Sequence, residues 1–563
     1  MKLIVEVIPI ILPIFTFQNF PFQKMRIRLL SIKSLPIILA GLMLVIFAGC
    51  SKKDEETTST PTVDPPIIPP VSTFAGPTYA DNYTSISAWA SRSQWNLANV
   101  HDPTVEKCSE YYYMYQTDAS YGNVHEGQGH YPYRRSKDLV NWEFMGMAFS
   151  TVPAWVKDSL NNKRARMSPA LPPIENPSYG FWAPHIKKVG NKYRLYYSVV
   201  VTNPIVGTDP NTSWTERAFI GLAESDDLAT NQWVDKGMVV CSEPDGVRSY
   251  TRNGANDWSG YFKFNAIDPT FIVTPEGEHW LIYGSWHSGI AALKLNPATG
   301  KPDKLETIDD YGVRIAGRGN VNTNRWQALE GPEIIYNQVT GYYYLFLAYD
   351  ELSIAYNTRV ARSRNITGPY VGIDGASVTT GAECWPMLTH PYAFSGHTGW
   401  VGISHCSIFQ NPDTKEWFYA SQGRLPENVP GINVSNAVMM GHVRQIHWTE
   451  DGWPVIAPER YAGVPKTTIK EEYIPGTWEQ ITMQYQYKVI QQPITMLLTI
   501  DKKVSGGVTG TWSLDTTKGI LTINNIKYNL SNAWNWESVP RKVTVTYSGL
   551  TLTGRPIWAK KVQ

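Results

Sequence analysis

Short apolar runs separated by polar turns recur along the chain, and one arrangement appears five times: a small or turn residue, a short apolar run, a polar turn, then an aromatic strand. The copies are DPTVEKCSEYYYMYQ from Asp102, APHIKKVGNKYRLYYSV from Ala183, DPTFIVTPEGEHWLIYGS from Asp268, GPEIIYNQVTGYYYLFLAY from Gly331 and HCSIFQNPDTKEWFYASQG from His405. Each predicts a β-hairpin. Two half-repeats, RRSKDLVNWEFMG at Arg134 and AESDDLATNQWVDKG at Ala223, predict outer strands for the early copies. The starts lie roughly 60 to 85 residues apart, too far for the shorter repeat classes and right for a four-stranded blade with long loops. Four-stranded units that cannot bury both faces alone close radially, so residues 76–465 are expected to form an all-β, five-bladed β-propeller. A pair of β-sandwiches is the alternative. Beyond residue 465 the pattern shifts to short alternating strands with Gly turns, predicting a second, smaller all-β domain over 466–563. That tail carries tryptophans at 478, 512, 534, 536 and 558 but no acid pair suited to a separate active site.

Radial closure has a chemical consequence. The first strand of every blade lines the central channel, so equivalent repeat positions converge at one end of it. Those positions supply Asp102, Asp268, Glu330 and His405, while the second blade offers Trp182-Ala183-Pro184. Singly, Asp-Pro and Glu-Gly-Pro are ordinary turn openers. Together, three carboxyl groups and a histidine at one mouth fit glycosidic bond cleavage, in which one acid protonates the leaving oxygen and another serves the nucleophilic step.

Composition narrows the partners. The 563 residues are 42% hydrophobic, 12% aromatic and 18% charged, with a formal net charge of +1. That describes a globular chain of two to four domains and argues against a nucleic-acid partner, which would need a basic face. The 21 Trp and 32 Tyr suit sugar rings as well as β-rich cores. Near the N-terminus, Arg26, Arg28 and Lys33 precede an apolar run from Leu35 to Ala48 that ends in Phe-Ala-Gly-Cys. It reads as a secretory signal over residues 1–50, resembling the lipobox of bacterial lipoproteins, with Cys50 as the lipidated residue. A membrane-spanning helix is the alternative, but the run is shorter than the ~20 residues a span needs. Translation is expected to begin at Met25, because residues 1–24 add nothing to export. Residues 51–75, with SKKDEE followed by a Thr/Pro/Ser-rich stretch, read as a disordered tether. The acidic-basic cluster behind Cys50 looks like a surface-export signal of Bacteroidetes-type lipoproteins, predicting an outer-membrane lipoprotein exposed at the cell surface, with the periplasmic face as alternative. The other cysteines, Cys108, Cys241, Cys384 and Cys406, match no CxxC metal site, and their pairing is left open.

The segments NVHDPT, FWAPHI, NAIDPTFIV, YGSW, ALEGPEI and HVRQIHWTEDGWPVIAPERY together resemble glycoside hydrolase family 43, and within it the endo-acting 1,5-α-L-arabinanases. The likeness covers roughly residues 95–465 and, more weakly, the tail, for which it implies a C-terminal β-barrel. It implies an inverting five-bladed propeller with Asp102 as general base, Glu330 as general acid, and Asp268 orienting that acid and modulating its pKa. His101, Phe181, Trp182, Asn265, Ser285 and Trp286 would line the substrate site. It further implies a hydrated calcium ion in the channel, held through His405, with His397 as the other histidine in reach of that role. Calcium is not suggested by the residues themselves, since the chain has no acidic EF-hand-like loop. Three functions follow for comparison: an endo-arabinanase on linear arabinan, an exo-acting α-L-arabinofuranosidase or β-xylosidase on the same scaffold, and a surface glycan-binding lipoprotein without chemistry. A monomer acting on arabinan and arabino-oligosaccharides is the expected state.

Overall fold

All five predicted hairpins form. They pair Thr104–Cys108 with Tyr111–Tyr115, Tyr179–Val189 with Lys192–Pro204, Thr270–Val273 with His279–Gly284, Leu329–Asn337 with Tyr342–Tyr349, and Ser407–Gln410 with Trp417–Gly423. The computed structural model describes residues 73–118, 127–167, 170–204, 215–243, 262–318, 327–426 and 439–562. The half-repeats become the outer strands His130–Ser136 and Glu143–Phe149 of the first blade, and Thr215–Ser225 and Val234–Cys241 of the second. Each blade's second strand is the aromatic one. It sits between an inner and an outer strand with blades on both faces, so its residues are nearly all buried and its sequence reads as a continuous apolar run.

The inner strands touch in chain order, and the fifth touches the first, which closes the five-bladed propeller. A bridge between Ala98 and Met440, and the Val105 N–H donated to Ser407 Oγ at 3.1 Å, seal the join. The fourth blade departs from the four-stranded expectation. It has three strands, ending with Asn357–Ser363, and isolated bridges at Arg359–Met387, Arg362–Val371 and Val371–Ser377 stand where a fourth would run. Pro369 has no N–H for a ladder, and the chain then folds back through Gly372–Ala376, whose backbone groups bond one another instead of a neighbouring strand.

The C-terminal domain is a closed eight-stranded barrel, from Gly476–Thr482 to Pro556–Lys561, with first and last strands paired. Its last strand shows why it cannot be separated cleanly from the propeller. Ile557 and Ala559 point into the barrel core, while Trp558 between them belongs to the propeller's core, with Tyr392 edge-on at 5.2 Å. Propeller and barrel accordingly lie in one compact unit, 65–563. Of the tail's tryptophans, Trp478 and Trp512 fill the barrel, whereas Trp534, Trp536 and Trp558 face the propeller side. Cys108, Cys241, Cys384 and Cys406 are buried free thiols. Cys50, the expected signal and most of the tether lie outside the described residues, among which no helix is long and apolar enough to cross a membrane.

A buried ion triplet joins the two domains: Lys560 Nζ donates to Glu459 Oε1 at 3.0 Å and Glu537 Oε2 at 2.7 Å, with all three side chains 3% exposed. Removing the cation strands two buried carboxylates, which costs far more than losing an exposed pair. Lys560→Met is therefore expected to lower the unfolding free energy by about 3 to 5 kcal/mol, read as an earlier denaturant midpoint. An unchanged midpoint would show that the join does not need the charge.

Candidate active site

Asp102, Ala183, Asp268, Gly331 and His405 occupy the same station in the five blades, and all five have left-handed backbone, with φ of 47°, 31°, 55°, 53° and 50°. For residues other than glycine this region costs roughly 1–3 kcal/mol and persists only where the surroundings over-determine it. In blades one, three and five the kink comes just before the inner strand enters its ladder, and in blades two and four, at Ala183 and Gly331, it is a break in register within the strand. Glycine is required at 331, because a Cβ there would stand 2.8 Å from the His405 ring. The fourth blade thus contributes its carboxyl from the preceding residue, Glu330.

The predicted cluster assembles around His405. His405 Nδ1 lies 3.0 Å from Asp102 Oδ1, and His101 Nδ1 lies 3.2 Å from Asp102 Oδ2. Burial would raise the Asp102 pKa, but the charges of His405 and His101 outweigh it and hold the carboxyl well below its usual range. Among the described residues the hydrogen bonds to Glu330 come from hydroxyl groups, with Tyr356 donating to Oε1 at 2.7 Å and Ser285 to Oε2 at 3.4 Å. Burial, then the neighbouring Asp268, push it up to about 7. Asp268 accepts the Gly331 N–H at 3.1 Å and is itself raised to about 6, chiefly by burial. Burial disfavours the His405 cation, yet Asp102 and Asp268 push its pKa up to about 10. Two carboxyls at one mouth are therefore driven apart, one ionised and one protonated near neutrality.

The expected substrate residues divide. Trp182 is 38% exposed, whereas Phe181 is buried with its ring stacked against His130, so of these two expected lining residues Trp182 is the one with an open face. Strand alternation turns Phe181 inward beside the outward Trp182. Ser285 reaches Glu330 as described. Asn265 accepts from Ser242 Oγ at 2.9 Å and donates its N–H to Ser288 Oγ at 3.2 Å, and Trp286 follows Ser285 with φ 65°. His397 is not near His405's partners. It lies 3.4 Å from Asp81 and stacks on Trp400.

Several contributors escaped the sequence reading. Thr117 Oγ1 accepts the Ala183 N–H at 2.7 Å and donates to Asp102 Oδ2 at 2.6 Å, and Gln422 takes the Asp102 N–H. Below the mouth, two residues after each left-handed station, stand Thr104, His185, Thr270, Glu333 and Ser407, polar in all five blades. They stitch the blades together. Thr270 Oγ1 and the Ile408 N–H both donate to Glu333, at 2.8 and 3.0 Å, His185 lies 3.5 Å from it, and Thr104 accepts the Ile186 N–H at 3.1 Å. That shared offset was readable in the repeats; the partners of Thr117, Gln422 and Tyr356 were not.

The fit for a metal can be tested on His405. With its Nδ1 facing Asp102, a metal would meet Nε2, which must first lose the proton it carries in the ion pair; metal-bound histidines usually hold a carboxylate with their second nitrogen in this way. Among the described residues no group of three or more His, Cys, Asp or Glu is placed to hold a metal.

A propeller whose channel mouth carries an ionised and a protonated carboxyl belongs to a glycoside hydrolase. Comparison with known proteins agrees. Residues 97–454 match the model of glycosyl hydrolases family 43, and residues 458–559 match its C-terminal lipocalin-like domain. The chain belongs to glycosyl hydrolases family 43. It is 27% identical to extracellular endo-α-(1→5)-L-arabinanase 2 of Bacillus subtilis, over 84% of this chain and 95% of that protein. The crystal structure of endo-1,5-α-L-arabinanase from Thermotoga petrophila RKU-1 superimposes with a TM-score of 0.64 at 27% identity, covering 83% of this chain and 99% of that one. An extracellular exo-α-(1→5)-L-arabinofuranosidase of Cellvibrio japonicus is 27% identical over 64% of this chain and 86% of its own length.

A role for Glu330 as general acid requires its proton, and under that role kcat/KM should fall as pH rises through about 7. The Asp268 charge helps to raise that value, so Asp268→Asn should move the alkaline limb to lower pH. A limb that stays in place or moves upward would detach Asp268 from the acid's titration.

Proposed function

We propose that this protein is an inverting endo-1,5-α-L-arabinanase with Asp102 as general base and Glu330 as general acid. One observation carries the reading: Asp102 is flanked by two imidazoles that keep it ionised, whereas Glu330 is buried beside another carboxyl, and these outweigh the Tyr356 hydrogen bond and keep it protonated. In the reaction Asp102 takes a proton from water as that oxygen attacks the anomeric carbon. The bond from that carbon to the O5 of the next arabinose breaks, and Glu330 gives its proton to the departing O5. Proton exchange with solvent restores both groups. Asp268 raises the acid's affinity for its proton and fixes the Gly331 backbone beside it.

Trp182, exposed at the mouth, is the residue we assign to stacking on an arabinose ring, with His101, Asn265, Ser285 and Trp286 around it. His405 is assigned as the holder of a hydrated calcium ion through Nε2. Such an ion would supply a fixed positive charge beside the carboxylates. Endo action is favoured because relatives aligned over more than four-fifths of the chain bear endo-arabinanase names, while the exo-named relative aligns over 64% of it. Their names also include "extracellular", which supports export; anchoring through a lipidated Cys50 to the outer membrane belongs to the same proposal.

Following products from linear arabinan over time tests the reading. Mixed oligosaccharides should precede monomer, and the newly formed reducing ends should first appear as the β-anomer by NMR. Arabinose alone from the outset would make the enzyme exo-acting, and an initial α-anomer would exclude inversion. Glu330→Gln should lower kcat on arabinan by about 10²- to 10⁴-fold.

A further inference from the structure

We infer that the barrel is a working part of the active site, its Tyr485 positioning Glu330 by clamping the loop that carries Tyr356. The inference rests on Glu330 being the general acid. The connection between the first barrel strand, ending at Thr482, and the second, beginning at Ile494, lies on the propeller. Gln491 donates its N–H to Pro391 O and accepts from the Ala393 N–H, both at 2.9 Å. Midway along it, the Tyr485 hydroxyl donates to Asp350 Oδ1 at 3.1 Å and accepts from Gln327 Nε2 at 3.0 Å and Arg318 Nη2 at 3.4 Å.

Asp350 is the hub on the propeller side. It is fully buried and left-handed, with φ 70°, a conformation that holds only while its contacts are complete. Its N–H donates to Ala328 O at 2.9 Å, two residues before Glu330. Its Oδ2 accepts from Asn357 Nδ2 at 2.7 Å, and the same amide nitrogen holds Ala355 O at 2.9 Å, so Tyr356 is fixed from both sides. Tyr356 then donates to Glu330 Oε1 at 2.7 Å. Backbone and side chain of the acid thus both trace to Asp350, and one of the groups saturating Asp350 comes from the barrel. A second barrel contact, Lys488 Nζ to Glu351 Oε1 at 2.9 Å, holds the next residue of the same loop.

A barrel that merely buttressed the propeller would not need a hydroxyl at this point. Tyr485→Phe keeps the ring, which packs under the Arg359 guanidinium at 4.5 Å, and removes only the hydrogen bonds. The experiment uses the full chain and two substrates: an arabino-oligosaccharide, whose leaving alcohol needs a proton, and its dinitrophenyl glycoside, whose leaving phenolate needs none. Expected for Tyr485→Phe is a fall in kcat on the oligosaccharide of about tenfold, with KM within about twofold and little change on the aryl glycoside. Lys488→Met should show a smaller loss with the same selectivity. Combining Tyr485→Phe with Tyr356→Phe should cost less than the product of the single effects, because both act through one network.

Wild-type kcat on the oligosaccharide in Tyr485→Phe would overturn the inference, as would equal loss on both substrates accompanied by a lower melting temperature. Glu330→Gln, run beside it, keeps the two claims apart. If Glu330→Gln is selective for the oligosaccharide and Tyr485→Phe is not, the acid stands and the barrel's role falls. If Glu330→Gln shows no selectivity, the acid assignment itself fails.

Discussion

Every inner strand passes once through the left-handed region at its channel-mouth station, and the active site depends on that repeated kink. It places the station residues at one end of the channel, where Asp102, Asp268 and His405 meet, with Glu330 brought in from the residue before Gly331. The conformation is unfavourable for Asp102, Ala183, Asp268 and His405 taken alone. It is sustained by cross-blade hydrogen bonds: Gln422 to the Asp102 backbone, Thr117 to Ala183, and Asp268 to Gly331. The same bonds that hold the strained backbone also aim the carboxyls, so closing the propeller and assembling the site are one event.

Burying three carboxyl groups and a histidine together would be prohibitive if all carried charge independently. The cluster avoids this by dividing its charge. Asp102 and His405 form an ion pair, with His101 and Thr117 at the carboxylate's other oxygen. Asp268 raises the proton affinity of Glu330, burial and Asp102 raise that of Asp268, and neutral donors, Tyr356 and Ser285, face the acid. A chemically useful asymmetry between two carboxyls is the direct result of which neighbours each was given. A further buried acid, Glu333, sits below them and ties blades three, four and five with uncharged donors from Thr270 and Ile408, which separates blade-to-blade stitching from the chemistry above it.

The barrel shares a core with the propeller rather than hanging from it. Alternation along a strand puts Ile557 and Ala559 inside the barrel and Trp558 inside the propeller, and the Lys560 triplet fixes the register of the join. With a dry, charged interface of this kind the two domains are held in one orientation. That rigidity is what allows a barrel side chain such as Tyr485 to act on a propeller loop at hydrogen-bond distance.

The repeats themselves disclosed the all-β class, the five blades and the convergence of Asp102, Asp268, Glu330 and His405, because strand periodicity and turn residues are local signals and a closed ring carries equivalent positions to the same place. The tail's short strands likewise announced a second β domain. The sequence could not show that the fourth blade stops at three strands, since that depends on the chain folding back through Gly372–Ala376 and meeting the outer edge only at separate points, Val371 and Met387. Nor could it tell Phe181 from Trp182, or His405 from His397, because inward and outward faces are assigned only when blades pack. Thr117, Tyr356, Gln422 and Tyr485 lie tens to hundreds of residues from the groups they hold, with no fixed spacing to mark them. Which residues can reach the mouth was written in the repeat; their protonation states and orientation were decided by neighbours that only the closed ring and its docked barrel bring together.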